Sequence, residues 1–105
     1  MIPVEWVEAA SRRIDGQIKR TPITFDQNLD LYYKWENQQV TGSFKIRGAL
    51  NKVLSLTPEE RANGLVTCSA GNHGQGVAVA ARQTGTGCTV YASDHAAPVK
   101  LEAMR

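Results

Sequence analysis

The apolar residues of the first segment recur at helical spacing. Val4, Val7, Ala10, Ile14 and Ile18 share one face, while Glu5, Glu8, Arg12 and Asp15 fall outside it. Pro3 suits a first turn, so the pattern predicts a helix over residues 3–15 that loosens at Gly16. Arg20-Thr21-Pro22-Ile23 should be extended, because the residue before a proline avoids helical angles. Leu31-Tyr32-Tyr33-Lys34-Trp35 is aromatic-rich between polar neighbours and reads as a strand; Asn37 to Gly42 reads as a loop. A second helix should begin near Ser43, with Ile46, Leu50, Val53 and Leu54 as its apolar stripe, and end before Thr57-Pro58. Pro58-Glu59-Glu60-Arg61 opens a short helical turn.

Beyond Gly64 the pattern shifts to short apolar runs between glycines. Leu65-Val66-Thr67-Cys68 reads as a strand, Gly71-Asn72-His73-Gly74 as a glycine-rich turn, and Val77 to Arg82 as a small-residue helix that stops at Gly85. Cys88-Thr89-Val90-Tyr91-Ala92 is the next strand, and Pro98 opens a last helix. Strand, helix, strand with linkers this short predicts a parallel pair, a right-handed crossover and an α/β class. Leu101-Glu102-Ala103-Met104-Arg105 is helix-like without a C-cap glycine, and reads as a chain cut in mid-helix.

Composition narrows the classes. The 105 residues are 42% hydrophobic and 21% charged, an ordinary globular balance for one domain. Twelve Lys and Arg against ten Asp and Glu leave a net charge of +2 with no basic cluster, which predicts no nucleic-acid surface. No apolar run approaches the roughly 18 residues of a membrane span, and the N-terminus lacks a basic start followed by an apolar stretch. The expected location is therefore the cytosol. Cys68 and Cys88 are too few for a disulfide scaffold; they should lie at opposite ends of neighbouring strands as free thiols.

Two segments carry candidate chemistry. Ser69-Ala70-Gly71-Asn72-His73-Gly74-Gln75-Gly76, between a strand and a helix, has the geometry that gathers backbone N–H groups around an anion. It matches neither the dinucleotide fingerprint nor a Walker loop, and on spacing alone a turn whose glycines serve packing fits as well. Lys45, in Thr41-Gly42-Ser43-Phe44-Lys45-Ile46-Arg47-Gly48-Ala49, falls on the first turn of a helix, an end that disfavours cations. Partial desolvation between Phe44 and Ile46 would favour a neutral amine able to form a Schiff base; the pattern alone favours a solvated surface lysine, since lysine is seldom buried. His73 and His95 have no partners at metal spacing, so no metal site is expected. Ser69 with His73 lacks the Gly-x-Ser-x-Gly of a nucleophile elbow.

Together with Lys34-Trp35-Glu36-Asn37, these motifs resemble the threonine/serine dehydratases, pyridoxal phosphate enzymes of fold-type II with the serine racemases as near relatives. The resemblance runs from about Lys19 to the end of the chain. It implies a tryptophan-synthase-β-like fold, three αβα layers around a parallel sheet, here truncated. Residues 1–50 would belong to the large domain and 51–105 to the small one. It implies pyridoxal 5'-phosphate as cofactor, Lys45 as the lysine that holds it, Phe44 against its ring and Asn72 on its ring hydroxyl. Ser69, Ala70, Gly71, Asn72 and His73 match the loop that holds the substrate carboxylate. Implied substrates are L-threonine and L-serine, with no nucleic-acid or membrane partner, and the full-length enzyme would be a homo-oligomer. Serine racemases carry Ser where this chain has Ala70. Racemisation needs an acid/base on each face of Cα, and a methyl group cannot exchange a proton, so the resemblance favours ammonia-lyase chemistry. The phosphate-binding glycine loop and the partner of the pyridine nitrogen lie downstream in that family. The 105 residues alone are therefore expected to be marginally folded and inactive.

Overall fold

A computed structural model describes residues 1–105. Helix α1 spans Val4–Ile14 and packs against α2, Lys45–Ser55. The expected apolar face of α1 is only partly used. Ile14 is buried and Ile18 partly buried, but Val4 and Val7 remain exposed, because α1 meets the core only at its C-terminal end.

Strands β1 (Ile23–Asp26) and β2 (Leu31–Lys34) form an antiparallel hairpin in the register Ile23↔Lys34 to Asp26↔Leu31. The turn is built by Asp26, whose Oδ1 accepts the N–H groups of Asn28 at 2.9 Å and Leu29 at 3.2 Å. This aspartate turn brings the chain back on itself, and Asp30 adopts a φ of 51°. Phe25 and Tyr32 pair across the strands with ring centroids 4.7 Å apart. A 3-10 turn at Glu36–Gln38 follows. Next to it, buried Gln39 satisfies its amide on the Lys19 backbone, accepting from the N–H at 3.0 Å and donating to the carbonyl at 2.9 Å.

Helix α2 buries the expected stripe, with Ile46 and Leu50 fully enclosed, Ala49 and Val53 beside them, and Leu54 partly covered. Helix α3 (Pro58–Ala62) starts with a capping box: Thr57 Oγ1 accepts the Glu60 N–H, and Glu60 Oε2 accepts the Thr57 N–H. Strand β3 (Leu65–Cys68) pairs in parallel with β4 (Cys88–Tyr91), in the register Leu65↔Cys88 to Cys68↔Tyr91. The two free cysteines thus sit at opposite ends of the pair. Helix α5 covers Pro98–Glu102. No helix is long and apolar enough to cross a membrane.

Helix α4 departs from expectation. It runs from Asn72 to Thr84, so the supposed turn at 71–74 is already its first turn. Two tertiary constraints outweigh the poor helix propensity of glycine. Ser69 Oγ accepts the N–H groups of Gly71 at 3.2 Å and Gly74 at 3.0 Å, capping the helix from outside. A Cβ on Gly76 would lie 3.2 Å from the carbonyl carbon of Lys45 and 3.3 Å from the nitrogen of Ile46, so glycine lets α4 rest on the α2 backbone without crowding it.

The resulting core joins Ile14, Ile46, Ala49, Leu50 and Val53 to Val77 and Ala80 of α4. Each large aliphatic side chain buried there contributes about 1.5–3 kcal/mol. Only 13 of the 105 residues are buried. The radius of gyration is 15.4 Å, against about 13 Å for a compact domain of similar length.

The Gly76 contact leads to a prediction. Gly76→Ala gains about 1 kcal/mol of helix propensity but drives a methyl group into a peptide unit of α2 that cannot rotate away, at a cost of about 1–3 kcal/mol. Thermal unfolding should show a lowered midpoint. A raised midpoint would mean that α2 yields to the methyl group.

Candidate cofactor and substrate site

Lys45 is the first residue of α2, and the start of that helix is unusual. Its N-cap, Phe44, has helical backbone angles and supplies no side-chain cap. Ser43 Oγ accepts the Lys45 N–H at 3.3 Å. The Lys45 side chain is not desolvated as its neighbours suggested: Ile46 alone turns into the core, while Lys45 and Phe44 both turn outward. The ammonium of Lys45 lies 5.0 Å from the centroid of the Phe44 ring, a distance typical of cation–π contact. Phe44 is 58% exposed, which leaves a flat apolar ring beside a free amine.

The contact through Gly76 brings the second motif to this amine's backbone. Asn72 precedes Gly76 by four residues, so it occupies the same face of α4, about 6 Å nearer the N-terminus. Asn72 and His73 are exposed, and their N–H groups have no acceptor within the chain. Ser69 is spent on the cap, Ala70 is exposed, and Gly71 opens toward Lys100, whose Nζ is 3.6 Å from where a Cβ would be. A Cβ at Gly74 would meet the Ser69 carbonyl and Val90, each at 3.2 Å. The first turn of α4 therefore presents free donors at the positive end of a helix, a setting for a carboxylate. The His73 side chain lines a separate cleft of about 280 Å³ with Ala49, Val53, Thr67 and Val77.

The sequence reading missed an ion pair two residues from Lys45. Arg47 Nε donates to Glu36 Oε2 at 2.9 Å, and Arg47 Nη2 donates to Glu36 Oε1 at 2.8 Å. The Thr21 hydroxyl also donates to Glu36 Oε1, and Lys34 Nζ donates to the Thr21 carbonyl at 2.6 Å. The Glu36 side chain is 16% exposed and that of Arg47 35%. The hydrogen bond from Arg47, opposed by burial and helped by the Thr21 hydroxyl and the charges of Arg47 and Lys34, holds the Glu36 carboxyl at about 2. Glu36 reciprocally raises the Arg47 guanidinium. A cation in the first turn of a helix was the available signal, since such a residue calls for an anionic partner.

Residues 14–105 match the family described as pyridoxal-phosphate dependent enzyme. The chain belongs to that family. It is 41% identical to the L-threonine ammonia-lyase of Thermotoga maritima over 100% of this chain and 28% of the relative. It is 40% identical to the serine racemase of Dictyostelium discoideum, over 98% of this chain and 34% of the relative. The structure of maize serine racemase superposes with a TM-score of 0.91 at 33% identity, covering 96% of this chain and 32% of that one. The fold is thus that of the fold-type II pyridoxal phosphate enzymes, and the chain spans about a third of the length of these relatives. The donor set fits the cofactor: an exposed primary amine for its aldehyde and a bare aromatic face for its ring, with free N–H groups on the neighbouring helix start.

The Glu36 shift sets an acid dependence. A carboxyl lowered from 4.5 to about 2 contributes stability that is complete above 4.5 and is lost as pH falls toward 2. After allowance for solvent screening this amounts to about 2 kcal/mol. Denaturant titrations at pH 6 and pH 3 should show a larger loss for the native sequence than for Glu36→Gln. Equal losses would assign the acid sensitivity to other carboxylates.

Proposed function

We propose that these residues form part of the active site of a threonine/serine ammonia-lyase, which converts L-threonine or L-serine to a 2-oxo acid and ammonia. The observation that carries the reading is the free Lys45 amine on the first turn of α2, beside an exposed Phe44 ring and tied through Gly76 to the open end of α4. In this reading Lys45 holds pyridoxal phosphate, Phe44 packs on its ring and Asn72 donates to its ring hydroxyl. Pyridoxal phosphate supplies an electron sink for the pair left at Cα. The Asn72 and His73 N–H groups bind the substrate carboxylate, with Ser69 holding the loop in shape and Ala70 and Gly71 leaving room. Residues 1–50 act as the start of a large domain and 51–105 as the start of a small one.

Relatives of both activities, lyase and racemase, match the chain, and Ala70 favours the lyase. Lys45 can remove the Cα proton from one side. Racemisation also requires a group that returns a proton from the other side, and the Ala70 methyl has none to give. Elimination needs no second group there.

The test uses a protein that continues through the length of the relatives. Borohydride reduction followed by peptide mapping should fix the cofactor on Lys45, and Lys45→Ala should abolish both the visible cofactor band and 2-oxo acid formation. Given L-serine, the native enzyme should form pyruvate with little D-serine. Substantial D-serine would sink the lyase assignment, and label on another lysine would sink the role of Lys45.

A further inference from the structure

We infer that Glu36 and Arg47 form a positioning pair for Lys45: a bidentate ion pair that sets the direction in which the first turn of α2 presents the amine. The inference rests on the reading of Lys45 as the cofactor lysine.

The start of α2 is poorly supported from within. Its first turn contains Lys45 and Arg47 and no acidic residue, so two cations face the positive end of the helix. Phe44 provides no cap hydrogen bond, and the Ser43 contact to the Lys45 N–H is long at 3.3 Å. A turn with these properties frays when left alone. Glu36 supplies from outside the helix the negative charge that the turn lacks. It does so in fork geometry, with two parallel hydrogen bonds of 2.9 and 2.8 Å. A fork of this kind fixes angle as well as distance, which a single point charge does not.

The anchor behind the fork is itself held. Glu36 opens the 3-10 turn that follows β2, and its Oε1 also accepts the hydroxyl of buried Thr21. The Thr21 carbonyl in turn accepts Lys34 of β2, and the Pro22 carbonyl accepts the Trp35 N–H at 3.1 Å. The hairpin, the 3-10 turn and α2 therefore meet at one carboxylate. Separately, Gly76 sets α4 against the Lys45 and Ile46 peptide. The backbone of Lys45 is thus held in two ways: by charge through Arg47, two residues on, and by steric contact through Gly76. Arg47 is paired and Lys45 has no carboxylate partner, so the pair neutralises the neighbour and leaves the amine free.

A purely structural pair and a positioning pair differ in what they move. The experiment compares Glu36→Gln, Arg47→Lys and the native sequence in the cofactor-loaded enzyme of the relatives' length. The main readout is visible circular dichroism per bound cofactor, which reports how asymmetrically the cofactor is held. Far-ultraviolet dichroism and the thermal midpoint are measured alongside. Glu36→Gln should weaken the visible dichroism and lower kcat about tenfold or more, as expected for a misaimed reacting group, with KM little changed. Arg47→Lys keeps the charge without the fork and should behave the same way. It also serves as the independent variant if Glu36→Gln folds poorly. A fall in thermal midpoint with native visible dichroism and native kcat would overturn the positioning role and leave Lys45 as the cofactor lysine. Borohydride label on a lysine other than Lys45 in the native enzyme would overturn both.

Discussion

The close approach of α4 to α2 is the constraint on which the rest of the arrangement depends. A Cβ at Gly76 would sit 3.2 Å from the Lys45 carbonyl carbon, so the two helices meet backbone to side-chain-free backbone. Packed helices ordinarily stand about 8–10 Å apart, at a spacing set by the side chains between them. Removing one side chain at the crossing lets Ile46 and Leu50 of α2 be fully enclosed while Val77 and Ala80 close over them. The same crossing ties the N-terminal turns of both helices together. One turn carries Lys45 and the other carries the free N–H groups of Asn72 and His73. Core packing and the gathering of polar groups are thus two results of one glycine.

Electrostatics resolves what packing leaves open. Both helix starts are positive ends, and α2 adds two cationic side chains to its own. Arg47 is neutralised across elements by Glu36, at a contact buried enough to count. By contrast, the pairs Glu8–Arg12 and Asp15–Arg20 are wide and solvated and contribute little. What remains uncompensated is the amine of Lys45 on one helix and the open N–H groups on the other. This is the arrangement on which the proposed roles of Lys45 and of the first turn of α4 rest.

Legibility in the sequence followed the distance over which each feature is determined. Strand β3 and the parallel partner β4 were readable because glycines bound short apolar runs, and the stripe on α2 because its period is local. Of strand β1 the sequence marks only Ile23 as extended, since its four residues pair through an aspartate turn whose hydrogen bonds no periodicity reveals. The outer face of α1 looked like core because its spacing is helical, yet no element covers Val4 or Val7. The first turn of α4 looked like a loop because glycine propensity argues for one; the Ser69 cap and the α2 contact decide otherwise. The Glu36–Arg47 pair spans eleven positions between different elements and left only an indirect trace, an unpaired cation at a helix start. The motif around Lys45 and Asn72 was legible as chemistry only through resemblance, because spacing alone fits a solvated lysine and a packing turn.

The exposure of Lys45 is best understood together with the burial of Ile46. Successive residues of a helix point about 100° apart, so a side chain fully enclosed at 46 fixes the direction in which 45 must leave the backbone. The core therefore sets the base of the lysine without touching its tip. In the proposed role, a lysine that first holds an aldehyde and then handles a proton would need this combination, because the amine would change position while its Cα does not. Burial of the amine would have tied its rotamers to the core, and an exposed residue at 46 would have left the turn free to rotate. The alternation of Phe44 outward, Lys45 outward and Ile46 inward places mobility at the tip of one side chain and rigidity directly beneath it.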